Sequence, residues 1–456
     1  MRVLLVSTYE LGHQPLHLAS PAAALQAAGH EVHCVDLAAE PWDQEAVAWG
    51  SAVAISVPMH TAMRLALRAA ERVRAGRPDL PICLYGLYAG VSHGLTLGRL
   101  VDHAVVGEYE PELLAWVERV AAGPGSPSEA ESAVPVLDRG RGRFSVPARD
   151  LLPPLSTYAH LAMGGQERAV GYVEASHGCA SRCRHCPVAA VYDGRVRIVA
   201  QDVVLEDIGR LVAAGARHIT FGDPDFLNAV HHSLRVVGAM HDSFPELTFD
   251  CTTKIELILR HEGIWGRMAE AGCLFVVSAV ECVNDDILAR IDKGHTAADA
   301  ARAVVLLREH GIEPRPSLLP FTPWTTVGDV ADILDFVVAH DLVGNVDPVH
   351  YSIRLLIPDG SLLLSDPDLV DRLEGYDGER LTWRWSAADP EVDRLQVRLA
   401  ALVEQAAASS QGTYATFAAV AQAVSETPGG RPVALPDAIV ARSVEGRPRL
   451  TEPWFC

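Results

Sequence analysis

Short apolar runs alternate with amphipathic stretches along the first 120 residues of the chain. Five runs have the length of buried strands, and two of the stretches between them have helical spacing. The expected strands are Val3–Ser7, Glu31–Leu37, Ala52–Val57, Pro81–Tyr85 and Val101–Val106, and the expected helices are Leu18–Ala28 and Ala62–Ala75. Such alternation predicts a parallel sheet covered on both faces, with any ligand at the carboxyl ends of the strands. We therefore predict a Rossmann-like, doubly wound α/β domain over residues 1–120.

A polar stretch interrupts this pattern at residues 121–150. It is rich in Pro, Gly and Ser and contains an Arg-Gly run. Because such a composition cannot bury enough surface to order itself, we interpret it as a linker.

Strand and helix patterns resume over residues 151–365. Strands are expected near 170–176, 216–222, 247–252, 273–279, 312–319 and 347–355. Six parallel strands wrapped by helices predict an open, partial (βα)6 barrel whose carboxyl-terminal rim carries the chemistry. Residues 366–456 contain two helical stretches, 391–405 and 414–424, and predict a small, mostly helical extension with an aromatic tail.

Composition narrows the class of protein. The chain has 456 residues and a formal net charge of -20, which argues against nucleic acid or an anionic membrane as partner. No apolar run approaches the length of about 18 residues that a membrane span needs. The start of the chain reads as a strand and not as a signal peptide, so we expect a cytosolic protein. Nine cysteines in a chain of this length do not indicate a disulfide framework.

Three of the cysteines form one compact motif. Cys179, Cys183 and Cys186 have the spacing C-x3-C-x2-C and directly follow a predicted strand. A [4Fe–4S] cluster normally takes four cysteines, so three thiolates leave one iron open to another ligand. The alternative is a structural Cys3His zinc site completed by His177 or His185, although zinc-binding cysteines usually come as two separated pairs.

The spacing of these cysteines resembles the signature of the radical S-adenosylmethionine (SAM) superfamily. The resemblance implies a [4Fe–4S] cluster on Cys179, Cys183 and Cys186, with SAM chelated at the fourth iron. It also implies that SAM is bound by residues at the ends of the later barrel strands. Our candidates for these cofactor-binding residues are Asp223, Asp225, Lys254, Glu281 and Arg354. A helix N-cap is the alternative for both aspartates, and a solvated strand end is the alternative for Lys254.

The N-terminal half resembles the cobalamin-binding domain that precedes many radical SAM modules. The matching pieces are Val3-Leu4-Leu5-Val6, Ala28-Gly29-His30-Glu31-Val32, Val35-Asp36-Leu37, Ile55-Ser56-Val57-Pro58-Met59 and Gly107-Glu108-Tyr109-Glu110. The D-x-H-x-x-G motif of other cobalamin proteins is absent. Leu87 and Tyr88 stand where a close backbone approach to the corrin is expected, so a fold kept only as scaffold is the alternative to cobalamin binding.

The tail resembles, loosely, radical SAM proteins that end in Cys-Cys-Ala-Glu-Pro or Cys-Sec-Ala-Glu-Pro. The resemblance implies that a UGA codon for selenocysteine follows Cys456. Cys456 is then a candidate catalytic thiol, because a tail that reaches the active site could offer a soft ligand or nucleophile. The alternative is a docking peptide with an incidental cysteine.

These features predict a radical SAM enzyme that transfers a methyl or other alkyl group to a small-molecule substrate. Such an enzyme needs a one-electron donor such as flavodoxin or ferredoxin. A second possibility is a cobalamin-free enzyme that transfers the aminocarboxypropyl group of SAM or rearranges its substrate. A third is a zinc- or cluster-stabilised binding protein without turnover.

Overall fold

The computed structural model describes residues 1–123, 134–140, 144–437, 439 and 446–451. The N-terminal part forms a six-stranded parallel sheet in the order β2-β1-β3-β4-β5-β6. Its strands are β1 Arg2–Ser7, β2 Glu31–Asp36, β3 Ala52–Ser56, β4 Ile82–Tyr85, β5 His103–Gly107 and β6 Val136–Asp138. Its helices are α1 Leu16–Ala27, α2 Gln44–Trp49, α3 His60–Gly76, α4 His93–Thr96 and α5 Glu110–Ala122.

The central strands of this sheet are buried on both faces, which explains their continuous apolar sequences. Leu4 and Ile55 belong to the core cluster on the side of α3, whereas Leu5 and Ala54 belong to the cluster on the side of α1 and α5. The predicted doubly wound domain is confirmed. The predicted linker is wrong in one respect, because Val136–Asp138 adds a sixth strand beside β5. Residues 124–133 and 141–143 of that stretch lie outside the described residues.

A second, curled sheet follows. Its order is β14-β13-β12-β11-β8-β7-β17, and the five strands from β14 to β8 are parallel. The strands are β7 His160–Met163, β8 Gln166–Val173, β11 His218–Phe221, β12 Thr248–Thr252, β13 Cys273–Glu281 and β14 Glu313–Leu318, with a separate hairpin of β9 Ser176–Gly178 and β10 Val196–Ile198. The helices are α6 Pro187–Tyr192, α7 Gln201–Ala213, α8 Val230–Ser243, α9 Ile255–Arg260, α10 Trp265–Glu270, α11 Asp285–Arg290, α12 Ala297–Glu309 and α13 Val327–Ala339.

This sheet confirms the half-barrel but not the sixth predicted strand. Within the described residues, 347–355 contains the 3₁₀ helix Pro348–Tyr351 and a single bridge between Phe321 and Arg354. Pro348 stands at the first helical position, where its fixed φ suits a helix start and its missing N–H has no partner to lose, so the segment begins a 3₁₀ helix.

The C-terminal extension has more sheet than predicted. Its elements are α14 Pro367–Val370, β15 Leu373–Asp377, β16 Thr382–Trp385, α15 Pro390–Ala408, α16 Thr413–Glu426 and β17 Arg449–Leu450. Both predicted helices are present as α15 and α16. The hairpin of β15 and β16 was missed.

A C-terminal strap, residues 447–451, joins the two edges of the half-barrel. At one edge, β17 pairs with β7 in antiparallel register, with Leu450 opposite Leu161. At the other edge, Arg315 of β14 donates a hydrogen bond to the carbonyl of Pro448 at 3.2 Å. Leu450 packs against the buried side chains of Val170 and Phe275 between them. The strap therefore spans the side on which the parallel strands leave the barrel open.

None of the helices in the described part of the chain is both long and apolar enough to cross a membrane.

Candidate functional site

The cysteine motif lies on the loop between the short strand β9 and helix α6. Gly178 ends β9 with a φ of +74°, and a Cβ atom on it would lie 2.3 Å from the carbonyl oxygen of Arg195. Only glycine fits this position, and the chain turns there into Cys179. Cys186 caps the N-terminus of α6. Cys179 and Cys183 are buried, and Cys186 is half-buried.

Three contacts hold the cysteine loop in place. The backbone N–H of Ala180 donates to Asn228 Oδ1 at 3.1 Å. The backbone N–H of Arg184 donates to the carbonyl of Ile291 at 2.9 Å. His185 Nε2, between Cys183 and Cys186, lies 3.1 Å from Glu281 Oε1. The loop is thus fixed by the segments that follow strands β11 and β13.

Glu281 is the centre of a buried charge cluster. It ends β13 with a φ of +64°, a left-handed conformation that is strained for a residue with a side chain. Its Oε1 accepts from Lys293 Nζ at 2.7 Å as well as contacting His185. Burial alone would raise the pKa of Glu281, but Lys293 and His185 hold this pKa well below its usual value. The carboxylate is therefore charged and occupied by protein groups.

The two predicted aspartates are also fully engaged. Asp223 accepts from the Ala175 N–H at 2.9 Å and from Ser176 Oγ at 2.6 Å, and so fixes the turn from β8 into β9. Asp225 caps the 3₁₀ helix at 226–229 and accepts from Thr253 Oγ1 at 2.7 Å. Burial raises the pKa of both carboxyl groups, that of Asp223 to about 6. This placement favours structural roles, and their direct contact with SAM stays a prediction.

Lys254 lies at a cavity beside the cysteine loop. The cavity has a volume of about 440 Å³ and is lined by Ser181, Asn228, Lys254, Glu256 and Gly294, among others. Lys254 Nζ donates to Ser181 Oγ at 3.1 Å and lies 3.3 Å from Glu256 Oε2. Asn228 Nδ2 is buried and has no hydrogen-bond partner among the described residues. The cavity therefore offers a cation and a free amide donor next to the cysteines.

Arg354, the other predicted residue that the structure describes, contacts the C-terminal extension. Arg354 pairs with Asp393 Oδ1 at 2.6 Å and stacks over the ring of Trp385 at 3.5 Å. It ties the barrel to the C-terminal extension, and a role of Arg354 in cofactor binding stays a prediction. One terminal nitrogen of its guanidinium donates to Asp393 and the other to the carbonyl of Trp385. Cys456 lies outside the described residues.

The structure does not favour the zinc alternative. Among the described residues, no three His, Cys, Asp or Glu side chains converge on a point where they could hold one metal ion. His177 pairs through both ring nitrogens, with Glu108 at 3.1 Å and Glu174 at 3.2 Å. Thiolates that each bind a different iron of a cubane surround the cluster and need not converge on one point. The donor set, three cysteines on one loop, fits such a cluster.

Burial and nearby positive charges act in opposite directions on the cysteine thiols. Burial raises the pKa of the Cys183 thiol, and the charges of Lys293 and Lys254 oppose that rise. Burial raises the pKa of Cys186 to about 11, and backbone N–H groups at the start of α6 oppose this rise. The ammonium groups and the helix N-terminus both favour the thiolate form that binds metal.

The N-terminal domain contacts the segments on both sides of the cysteine loop through Glu108, which follows β5. Glu108 contacts His177, which precedes the first cysteine, and accepts from Tyr192 Oη of α6 at 2.8 Å. Burial alone would lower the pKa of His177, but Glu108 and Glu174 outweigh it and raise this pKa to about 10. A buried ion pair thus joins the two domains on both sides of the motif.

A second cavity, of about 180 Å³, lies between the domains. Leu87, Gly90 and Val91 from the loop after β4 line one side, and His185 and Cys186 line the other. Tyr88 does not fill this cavity. Its side chain is buried in the core of the N-terminal domain, against His60. The cysteine loop therefore faces the carboxyl ends of the N-terminal strands across a gap lined in part by glycine.

Sequence reasoning missed Asn228, Glu108 and Lys293. Asn228 and Glu108 lie on loops whose partners are distant in sequence, so no local pattern reveals them. Lys293 did carry a signal, because lysine is rare in this chain.

Comparison with known proteins agrees with this architecture. The family model of the B12 binding domain matches residues 2–116, and that of the Radical SAM superfamily matches residues 173–337. The hopanoid C-3 methylase of Methylococcus capsulatus is 23% identical over 334 residues, which cover 68% of this chain. The chain spans 62% of the length of that relative.

Two solved structures share the fold. The cobalamin-dependent SAM radical enzyme OxsB, with aqua-cobalamin and SAM bound, superposes with a TM-score of 0.70 at 14% identity, over 90% of this chain and 67% of the other. The radical SAM methyltransferase TsrM from Kitasatospora setae gives a TM-score of 0.58 at 21% identity, over 75% and 71%. The chain therefore contains a B12-binding domain followed by a radical SAM domain.

Proposed function

We propose that this chain is a cobalamin-dependent radical SAM methyltransferase that acts on a small-molecule substrate. One observation carries the proposal: the cysteine loop and the loop after β4 of the B12-binding domain line the same cavity. A SAM-cleaving centre and a methyl carrier must face each other to exchange groups, and this arrangement supplies that meeting point. The methyltransferase TsrM and the hopanoid C-3 methylase, both similar to this chain, support methyl transfer, and OxsB supports the use of cobalamin and SAM.

In this proposal Cys179, Cys183 and Cys186 hold a [4Fe–4S] cluster, and Lys254 binds the carboxylate of SAM from the adjoining cavity. Asn228 Nδ2 is a buried donor without a hydrogen-bond partner among the described residues, and its Oδ1 accepts from the loop at Ala180. When bound, the cluster supplies an electron that cleaves SAM, and cobalamin supplies a methyl-carrying centre. Asp223, Asp225 and Glu281 position the loops that carry these groups. Glycines 86 and 90 keep the cobalamin-facing loop close to the sheet, since a Cβ on Gly90 would lie 3.0 Å from Val106 Cγ2.

Anaerobic reconstitution of the full chain with iron, sulfide and cobalamin tests this proposal. We expect about 4 Fe per chain, a corrin absorption spectrum, and formation of both 5′-deoxyadenosine and S-adenosylhomocysteine from SAM under reduction. Methylthioadenosine as the product would instead indicate transfer of the aminocarboxypropyl group, and intact SAM with bound zinc would indicate a binding protein.

Matched variants separate the two cofactors. Replacing all three motif cysteines with serine should abolish iron binding and leave corrin binding intact. Leu87→Trp, which fills part of the interdomain cavity, should reduce corrin retention and leave the iron content unchanged. A Leu87→Trp protein that retains corrin as well as the wild type does would contradict the placement of cobalamin at this cavity.

A further inference from the structure

The chain contains only two lysines, and both lie beside the cysteine loop. Of 38 lysine and arginine residues, all but Lys254 and Lys293 are arginine. A general preference for arginine explains why lysine is rare, but not why the two exceptions flank one loop. They come from different segments, since Lys254 precedes α9 and Lys293 follows α11.

Lys293 is held as a buried, fixed charge. Its side chain is only 6% exposed, and its ammonium group lies 2.7 Å from Glu281 Oε1. Burial alone would lower the pKa of Lys293, but Glu281 outweighs burial and raises this pKa. Asp292 and Gly294 on either side have φ angles of +53° and +77°, so the backbone turns sharply around the lysine. The amine is therefore charged and restricted in position.

Lys254 approaches the same loop from the other side. Its side chain is 12% exposed and bonds to Ser181, which stands between the first two cysteines. The two lysine segments meet at Gly294, where a Cβ atom would lie 2.8 Å from Glu256 Oε2 and 3.5 Å from Lys254 Nζ. The two lysine segments are thus in close contact at the edge of the cavity that Lys254 and Gly294 line.

Lys293 also reaches the cysteine loop through a shared carboxylate. Glu281 Oε1 lies 2.7 Å from Lys293 Nζ and 3.1 Å from Nε2 of His185, which stands between the second and third cysteines. Removing the ammonium would leave the negative charge of Glu281 without its lysine partner beside the loop.

We propose that the charges of Lys254 and Lys293 set the reduction potential of the cluster bound by the cysteine loop. This inference rests on the function proposed above. The oxidised cluster accepts one electron from an external one-electron donor and gains one negative charge. A nearby fixed positive charge stabilises the reduced form more than the oxidised form, and so raises the potential. At the buried position 293 lysine suits the site because its ammonium is a compact point charge, whereas a guanidinium needs a wider planar site.

The test is a redox titration of the reconstituted full chain, without SAM or substrate, with dithionite as reductant and the reduced cluster followed by electron paramagnetic resonance. At the midpoint potential of the wild type, Lys293→Met should lower the ratio of reduced to oxidised cluster about tenfold, which is 59 mV for a one-electron couple. Lys254→Met should lower the ratio several-fold. Lys254→Arg faces the open cavity and keeps the charge, so it should restore the wild-type ratio.

Arg302→Met removes an exposed charge on α12 and controls for net charge, with no change expected. If Lys293→Met does not fold, Lys293→Gln keeps a donor for Glu281 while removing the charge, and takes its place. Ratios within twofold of the wild type in the neutral variants at both positions, at full iron content, would overturn the inference. A wild type that binds no cluster would instead overturn the proposed function, so the two failures are distinguishable.

Discussion

Removing the charge of Glu108 isolates the ion pair that joins the two domains. Glu108→Gln keeps the shape of the side chain, and its carbonyl oxygen can still accept the hydrogen bond that Tyr192 Oη donates at 2.8 Å. The substitution removes the negative charge that lies 3.1 Å from His177 Nδ1 and leaves Glu174 as the remaining carboxylate partner of that ring.

The size of the effect follows from the pKa of His177. Burial lowers this pKa, yet the carboxylates raise it from 6.5 to about 10, and Glu108 acts most strongly among them. At 1.36 kcal/mol for each pH unit, the rise corresponds to about 5 kcal/mol in favour of the charged ring. Since Glu174 remains, we expect Glu108→Gln to destabilise the protein by about 3 kcal/mol, a cost similar to breaking other buried pairs. This stabilisation is complete below pH 6.5 and fades as the pH rises through 10.

Urea unfolding of the apo chain at pH 7 measures this cost in Glu108→Gln, His177→Gln and the double variant. The double-mutant cycle should give a coupling free energy of about 2 kcal/mol or more. Glu206→Gln on α7 is the matched control, because Glu206 pairs with Arg210 on the exposed surface and should contribute under about 1 kcal/mol. A coupling below about 0.5 kcal/mol would refute the assignment of this pair as the link between the domains.

Three further outcomes are expected. Burial lowers the pKa of His13 to about 4, so between pH 6.5 and 4 the unfolded chain binds a proton at this residue more readily than the folded chain, and the free energy of unfolding falls as the pH drops through that window. His13→Gln should remove about 3 kcal/mol of this loss. Urea midpoints of the variant that fall with pH as steeply as those of the wild type would contradict this. Asp225→Asn should cost about 1–3 kcal/mol of stability while equilibrium dialysis finds SAM affinity within twofold of the wild type; a hundredfold loss of affinity would make Asp225 a SAM ligand after all. Leu450→Asp should detach the strap and speed hydrogen exchange of the β7 amides while leaving exchange in β4 unchanged, and unaltered exchange in β7 would show that the strap does not depend on that contact.

The sequence predicted the parallel sheets well because their strands are apolar on both faces. Val3–Ser7 and Ala52–Val57, for example, are continuous apolar runs, and the structure has strands at Arg2–Ser7 and Ala52–Ser56. Strands made by tertiary pairing were not predictable in this way. Leu450 forms a strand only because the edge of β7 is available beside it. Pro348 shows the converse case, since it begins a 3₁₀ helix within a run that was predicted to be a strand.

For the site, spacing identified the cysteine loop, and position along the chain identified Lys254 at the adjoining cavity. Whether a side chain is free to bind a ligand depends on its hydrogen-bond and ion-pair partners in the fold, and the sequence alone does not reveal these partners. Asp223 is occupied by Ser176, and Arg354 is occupied by Asp393 of a helix that begins 36 residues later. The sequence therefore places carboxylates and guanidinium groups at strand ends, but it does not show which of them can bind a ligand.

The position of the strap at the end of the described chain constrains the order in which the parts of this protein can fold. Thr451 Oγ1 accepts from the N–H of His160, a contact between residues 291 positions apart. Such distant pairing is slow to form and comes late in folding. During synthesis on the ribosome, the β7 edge of the half-barrel stays unpaired until the last described residues have been synthesised. The cysteine loop emerges long before that.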